Sequence, residues 1–592
     1  MNAFPRRPWL RWGAGAVILI LVIGVVLYVF WGQLLPSAGE VVNIVRTRSA
    51  PAGTLTIDRN PAAPRVVTAA PTLQGPATGN DWPSYNKTLT SERFSSLAEI
   101  NTHTASSLKI ICSYDIGEHT AFQSGLLMVD GAIIGTTEHD TFSIDPATCK
   151  PKWRQVEQYK AASPLTANRG AAYLNGSLYR GTEDGRVLAY DLATGKRLWE
   201  TQVADASKGE TTPSAPIAWS GLVFIGNAGG DIKGIKGRMY ALDATTGRIV
   251  WEFYLVPKEP DDVVRGPQGS SPLTRASWGE NSPINGGGAW TSYSLDPERG
   301  LLYVPVGNPA PDFADKMRPG QNLFTDSVVV LDAKSGAYQT HVQIVSPDWH
   351  DFDVSSAPAL VTTRSGRHLM SLAPKDGYLY GYDLDAHRML YRLSVDRHEN
   401  ADVPLTVGNE LHVCPGTQGG AEWNGPAYDP PTNLMLIGQV DWCSSLKLAN
   451  DAAIRDVKPG KVFLGNDMPN PYDYFGKFDP MPHWGGWVYA ADAETGQWIW
   501  RAQSNYPVIS GLTTTAGGVA MFGDAGGNFY VLDTATGEKL WGRKIGGAIG
   551  GGVITFAIDG GSQRVAVAAG MTSIIWPTEQ TNATIVVLGL GE

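Results

Sequence analysis

Short apolar runs recur along most of this chain, and each ends at an aspartate that opens a polar turn. The recurring phrase is SIDPATCKPKW, AYDLATGKRLW, ALDATTGRIVW, AADAETGQWIW and VLDTATGEKLW, with weaker copies VLDAKSGAYQT and GYDLDAHRMLY. Its aspartates are Asp145, Asp191, Asp243, Asp332, Asp383, Asp492 and Asp533. In the five strong copies a tryptophan follows eight residues later, at Trp153, Trp199, Trp251, Trp500 and Trp541. An apolar run, a D-x-x-T-G turn and a second run beginning at the tryptophan predict a β-hairpin. Adjacent copies lie 41 to 52 residues apart, which suits one four-stranded blade each, and the longer gaps imply insertions. A blade cannot bury both faces alone, so blades must pack radially, with each tryptophan docking between neighbours. LKIICSYDIG, with Cys112 in the tryptophan's place, reads as an eighth copy. Paired with the C-terminal TIVVLGL it would complete the last blade and close the ring. The pattern therefore predicts an all-β, eight-bladed propeller over residues 81–592.

One apolar run is of a different kind. Residues 13–31 carry no charge and are long enough to cross a bilayer as a helix. Arg6, Arg7 and Arg11 precede them, which places residues 1–12 in the cytoplasm and the body outside it. The run is long for a cleaved signal peptide, so the expectation is a periplasmic domain held to the inner membrane. Residues 36–80, rich in Pro, Ala, Thr and Val, read as a linker. A net charge of −10 without basic clusters excludes nucleic acid as a partner. The four cysteines, Cys112, Cys149, Cys414 and Cys443, suit disulfides in an exported protein, and no C-x-x-C-H exists for covalent haem. Cys112 and Cys149 lie within one repeat, and geometry must decide whether they pair.

Candidate chemistry lies outside the repeat. There is no H-E-x-x-H, G-x-S-x-G or Walker loop. What stands out instead are the loops ANRG, GNAGGDIKGIKG, GGGAW, VGNPAPDFADKMRPGQN, DWHDFDV, APKDG and CPGTQGGAEWNGPAYDP. Loops from different blades converge on one mouth of a propeller, and these bring carboxylates, an amide, an Arg, a Lys and a Trp. Such oxygen donors suit a hard cation such as Ca²⁺.

From DWPSYNKTLTSERFSSLAEIN almost to the end, these loops resemble those of the pyrroloquinoline quinone (PQQ)-dependent alcohol dehydrogenases, whose fold is an eight-bladed propeller. The resemblance implies that Trp290 is the floor on which the quinone lies and that Arg169 pairs with a quinone carboxylate. It implies that Lys375 donates to the quinone oxygens and that Gln123 and Glu422 stand beside the cofactor. Asn308, Asp231 and Asp351 fall where the family binds its cation, with Asp231 in place of a longer Glu. Asp351 also matches the catalytic base. Asp353 joins that metal-binding set, adding a charge that marks many lanthanide-using members, so the cofactors implied are PQQ with Ca²⁺ or a lanthanide. Cys414 and Cys443 match a structural disulfide, and Trp349 and His350 are expected to pack at the mouth.

The chain departs from the family at several points. Ser163-Pro164 replaces a vicinal cysteine pair, Gln123 a Glu, Glu422 an Asn, and Ile509 a Trp. The implied reaction is oxidation of an alcohol to an aldehyde or ketone, with electrons leaving to a cytochrome c or ubiquinone. The alternatives are a sugar or polyol quinoprotein dehydrogenase, and a non-catalytic propeller resembling the outer-membrane assembly lipoproteins.

Overall fold

The repeat phrase folds as a hairpin whose turn is held from within. Asp191 Oδ1 accepts the backbone N–H and the hydroxyl of Thr194, and Gly195, at φ 70°, donates to Asp191 O. The same contacts recur at Asp243–Thr246 and Asp533–Thr536. The tryptophan is the third residue of the outer strand rather than the first, as in Arg197–Gln202. Its ring lies over the turn glycine of the next repeat. A Cβ on Gly195 would come within 2.6 Å of Trp153, and one on Gly247 within 2.6 Å of Trp199. The indole N–H completes the dock: Trp153 donates to Leu192 O, Trp199 to Ala244 O, Trp251 to Ala333 O and Trp500 to Thr534 O. Glycine is required here twice over, for its positive φ and for the close approach of the indole.

The computed structural model describes residues 53–69, 79–159, 166–273, 275–470, 473–481, 483–558 and 561–591. Among them are eight sheets of four or five strands. Blades 1 to 7 occupy 127–156, 172–202, 217–254, 294–343, 359–394, 427–504 and 513–544. Blade 8 takes three strands from 553–590 and its outermost, Leu108–Asp115, from the other end of the domain. Each blade shares an apolar cluster with the next. Leu127, Leu178 and Leu188 join blades 1 and 2, and Phe142, Phe556 and Val587 join blade 8 back to blade 1, so the ring is closed. The expected pairing of LKIICSYD with TIVVLGL is present, with Leu108 opposite Leu590.

Two outcomes differ in detail from the sequence reading. Cys112 and Cys149 do form a disulfide, but it joins blades 8 and 1 rather than two parts of one repeat. Cys112 stands where a tryptophan would dock, and Cys149, at φ 58°, stands where the turn glycine would receive it. Within the stretch expected to be a linker, Leu55–Arg59 adds a fifth strand to the outer edge of blade 6, paired with Trp498–Ser504. Leu55 and Ile57 tuck onto the blade 6–7 cluster, which explains why this short alternating segment orders there. The apolar run 13–31 lies outside the described residues; no helix among the described residues is long and apolar enough to cross a membrane.

The first strands of neighbouring blades touch, which places them around the axis. The segment 82–95 crosses that axis and forms a floor. Its carbonyls accept from Leu295, Leu360 and Tyr428 of blades 4, 5 and 6, Trp82 bridges to Met128 of blade 1, and Phe94–Ser95 pairs with Thr513–Thr515 of blade 7.

Candidate active site

Antiparallel strands sort the loops by face. Connections from the fourth strand of one blade to the first of the next, and from second to third strands, share one face. The repeat hairpins lie on the other. Gln123, Arg169, Trp290, Asp351, Asp353 and Glu422 all lie on connections entering a first strand. Asp231, Asn308 and Lys375 lie on second-to-third connections of blades 3, 4 and 5. Every sequence-predicted site residue therefore reaches the same mouth.

At its centre Arg169 is sandwiched between two indoles, 4.5 Å from the ring of Trp290 and 5.0 Å from that of Trp423. One guanidinium N–H donates to Trp290 O at 3.2 Å, while Nε is buried without a partner among the described residues. Burial lowers the pKa of this Arg to about 10. Lys375 Nζ lies 5.6 Å from the Trp290 ring, 3.2 Å from Asp351 and 2.8 Å from Asp353. Burial opposes its charge, but the two carboxylates hold its pKa well above the ordinary value. Asp353 Oδ1 accepts from the indole N–H of Trp290 at 3.2 Å and from Asn308 N at 3.0 Å. Glu422, fully buried with one oxygen that has no partner among the described residues, is pushed up to about 7 by burial. Gln123 Oε1 is likewise buried and without a partner among the described residues.

Beside this cage three carboxylates meet. One oxygen each from Asp231, Asp312 and Asp351 lie within 4.8 Å of one another. Burial pushes all three up, Asp231 to about 6 and the other two well above the carboxylate range, and mutual repulsion adds to the shift for Asp312 and Asp351. Asp351 sits at φ 70°, a left-handed conformation that few non-glycine residues adopt. Its loop is anchored by Asp348, which accepts from the backbones of His350 and Phe352. His350 is stacked between Trp349 and Phe352, at 3.5 and 4.2 Å, and donates to Ala401 O, so the Trp-His pair is packed as expected. The insertion 442–484 within blade 6 closes over these loops: Phe463 N donates to Asp231 O, and Phe313 N to Leu464 O. The Cys414–Cys443 disulfide ties its base to the loop carrying Glu422.

Sequence reasoning misses three of these residues. Asp312 follows Asn308 by four positions in the same unusual loop, yet nothing in the spacing distinguishes it from a surface acid. Trp423 adjoins Glu422 but belongs to no motif of its own. Arg318, fully buried, donates to Pro311 O, Asp312 O and Asp348 O and so joins the loop bearing Asn308 to the loop bearing Asp351. Only the fold brings those two loops together.

The sequence pattern of the family described as glucose/ethanol/alcohol dehydrogenase, beta-propeller domain, matches residues 82–386, just over half of the chain. The chain belongs to the PQQ-dependent alcohol dehydrogenases. Among relatives of this family, the lanthanide-dependent methanol dehydrogenase of Methylacidiphilum fumariolicum is 29% identical over 83% of this chain and 84% of its own. The dehydrogenase subunit of the quinone alcohol dehydrogenase of Gluconobacter oxydans is 30% identical over 83% of this chain and 71% of its own. The solved quinohemoprotein alcohol dehydrogenase ADHIIG of Pseudomonas putida superposes with a TM-score of 0.77 at 25% identity, covering 87% of this chain and 81% of that one. Residues 485–586, in the last blades, also match the pattern of the outer membrane protein assembly factor BamB. Ser163 and Pro164, where family members carry the vicinal cysteines, lie outside the described residues.

The residues present fit the family's cofactor. Buried cations from Arg169 and Lys375 flank the Trp290 ring, and Arg169, Gln123 and Glu422 carry buried polar atoms without partners among the described residues. The carboxylate trio is a donor set for a hard cation.

Proposed function

We propose that this enzyme oxidises an alcohol to an aldehyde or ketone, using PQQ with a hard cation, Ca²⁺ or a lanthanide. The observation that carries this reading is the juxtaposition of the Arg169–Trp290–Lys375 cage with buried carboxylates on one mouth of the ring. When bound, the quinone is the two-electron acceptor and its cation polarises the reacting carbonyl.

The chain's own residues do the rest. The Trp290 ring supplies a flat floor, fixed in its plane by the bond from its N–H to Asp353. Arg169 and Lys375 hold anionic and carbonyl oxygens of the cofactor. Glu422, pushed up to about 7 by burial, keeps a protonated fraction near neutral pH that can donate to a cofactor carboxylate where an ionised acid would repel it. Asp231, Asn308 and Asp351 hold the cation, and Asp351 takes the hydroxyl proton of the substrate as general base. Lys375, 3.2 Å away, steadies the carboxylate form of Asp351 that this step requires. Trp290 packs against a buried apolar cluster that includes Trp423, Trp442, Trp484, Trp576, Met481 and Met571, which keeps water from that side of the cage.

The uncharged run 13–31 behind three arginines, together with the two disulfides, supports a periplasmic enzyme attached to the inner membrane. Electrons then leave to a separate cytochrome c or to ubiquinone, since the chain has no haem attachment motif of its own. The test is dye-linked oxidation of primary alcohols by protein loaded with PQQ and either La³⁺ or Ca²⁺. Asp351→Asn should lower turnover about 100- to 10,000-fold while PQQ, followed by its absorbance, still binds. Wild-type protein that binds PQQ and oxidises sugars but no alcohol would move the substrate class. Failure to bind PQQ at all would overturn the reading.

A further inference from the structure

Asp312 is the one acid of the carboxylate trio to which the family resemblance gives no role. Its side chain is fully buried, and neither carboxylate oxygen has a hydrogen-bond partner among the described residues. A buried carboxylate in this state is costly unless something compensates it. One of its oxygens lies within 4.8 Å of oxygens from both Asp231 and Asp351. A single Ca²⁺-sized ion holds oxygens at about 2.3–2.6 Å, so ligands on opposite sides of it stand about 5 Å apart. All three carboxylates therefore fall within reach of one ion.

Asp353 is placed otherwise. Its Oδ1 accepts from Trp290 and from Asn308 N, and its Oδ2 is 2.8 Å from Lys375 Nζ. A Cβ on Gly307 would lie 2.4 Å from Asp353 Oδ1, so the backbone there is shaped around this carboxylate. Lys375 lies nearer to Asp353, at 2.8 Å, than to Asp351, at 3.2 Å, so Asp353 is the acid it meets first and the other three carboxylates face one another.

We propose that Asp312 is a ligand of the bound cation, completing with Asp231 and Asp351 a three-carboxylate set that favours a trivalent over a divalent ion, and that Asp353 acts as a strut for Trp290 rather than as a ligand. Three negative charges are neutralised by a lanthanide and left with one in excess by Ca²⁺. Asp312 also makes up for the short reach of Asp231, since the extra carboxylate arrives from a different loop. The inference rests on the cation-binding reading above, but its test does not need turnover.

The experiment uses the full chain in detergent, stripped of metal by a chelator, without PQQ. Tb³⁺ binding is followed by its tryptophan-sensitised luminescence, and La³⁺ and Ca²⁺ are titrated in competition. Wild type should bind both lanthanides more tightly than Ca²⁺. Asp312→Asn, which keeps the size of the side chain, should weaken Tb³⁺ and La³⁺ at least about tenfold and narrow their advantage over Ca²⁺. Asp353→Asn should leave the lanthanide advantage within about threefold of wild type. Thermal melts of the metal-free proteins check that both variants fold; should Asp312→Asn not fold, Asp312→Glu takes its place and must shift the La³⁺-to-Ca²⁺ ratio. Unchanged lanthanide binding in the Asp312 variant, or loss of the preference in Asp353→Asn, overturns the proposal. Tight, Asp312-dependent metal binding without PQQ binding would sink the enzymatic reading and leave this one standing.

Discussion

Gly307 shows how much of the site rests on single atoms. It precedes Asn308, and the space where its Cβ would stand is filled by Asp353 Oδ1 at 2.4 Å, with Gly288 O and Trp290 Nε1 at 3.2 and 3.3 Å. That carboxylate oxygen joins the floor indole to the loop bearing Asn308. Gly307→Ala must push Asp353 aside, freeing the Trp290 ring to turn and releasing Lys375. The expected result is roughly tenfold weaker PQQ binding, about 1.4 kcal/mol, with little change in melting temperature. Unchanged quinone affinity in an absorbance titration would show that the Trp290 plane is fixed by packing alone. The same scale explains the use of Asp at 351: at φ 70° a β-branched or bulky residue would be strained, whereas Asp tolerates the left-handed region.

At the scale of the element, the repeat hairpin obeys a rule of paired substitutions. Where the turn glycine is present, an aromatic from the preceding blade lies on it, as Trp251 does on Gly336, Trp500 on Gly537 and Tyr391 on Gly496. Where blade 5 has His387 in the glycine's place, blade 4 offers Thr340 in the tryptophan's. A residue with a Cβ leaves no room for an indole, so the two changes go together. A second element carries its own pH signature. In the first hairpin of blade 6, Asp429 Oδ2 accepts from Thr432 N and Oγ1, while Oδ1 is buried without a partner among the described residues, and burial pushes this acid up to about 7. The folded pKa lies above the unfolded one. Its contribution is therefore full below about pH 4 and lost as pH rises towards 7, at most about 4 kcal/mol. Asp429→Asn keeps the turn and removes the ionisation. It should melt increasingly above wild type between pH 5 and pH 8; parallel melting curves across that range would refute the assignment.

For the whole molecule, the decisive joint is the seam where blade 8 takes its outer strand from the N-terminal side of the domain. Every blade interface is apolar, but this one is also covalent, through Cys112 and Cys149 across a separation of 37 residues. A crosslink of that span removes roughly 4 kcal/mol of conformational freedom from the unfolded chain. Replacing both cysteines by serine should lower the denaturation midpoint accordingly and make the ring open first at blades 8 and 1, visible as early hydrogen exchange in Leu108–Asp115. Equal protection of all eight outer strands would argue that the disulfide adds nothing to closure.

Much of this molecule is legible in its sequence alone. The repeat determines the hairpins, their number and the closure of the ring, because turn chemistry and a docking indole act over a dozen residues and leave a mark at fixed spacing. The loops carrying Trp290, Asn308, Asp351 and Lys375 are legible because they break the repeat, and the family resemblance singles out those residues within them. What only the tertiary structure decides is who meets whom. Asp312 and Asp231 come from different blades, Arg169 finds Trp423 across the axis, and Cys112 reaches Cys149 because the ring brings its last blade against its first. Such contacts depend on the curvature of the whole ring and on the insertion 442–484 folding back over the mouth. No local pattern encodes that distance, so a carboxylate that reads along the chain as part of a solvated turn is, in the folded ring, a buried group set against two others.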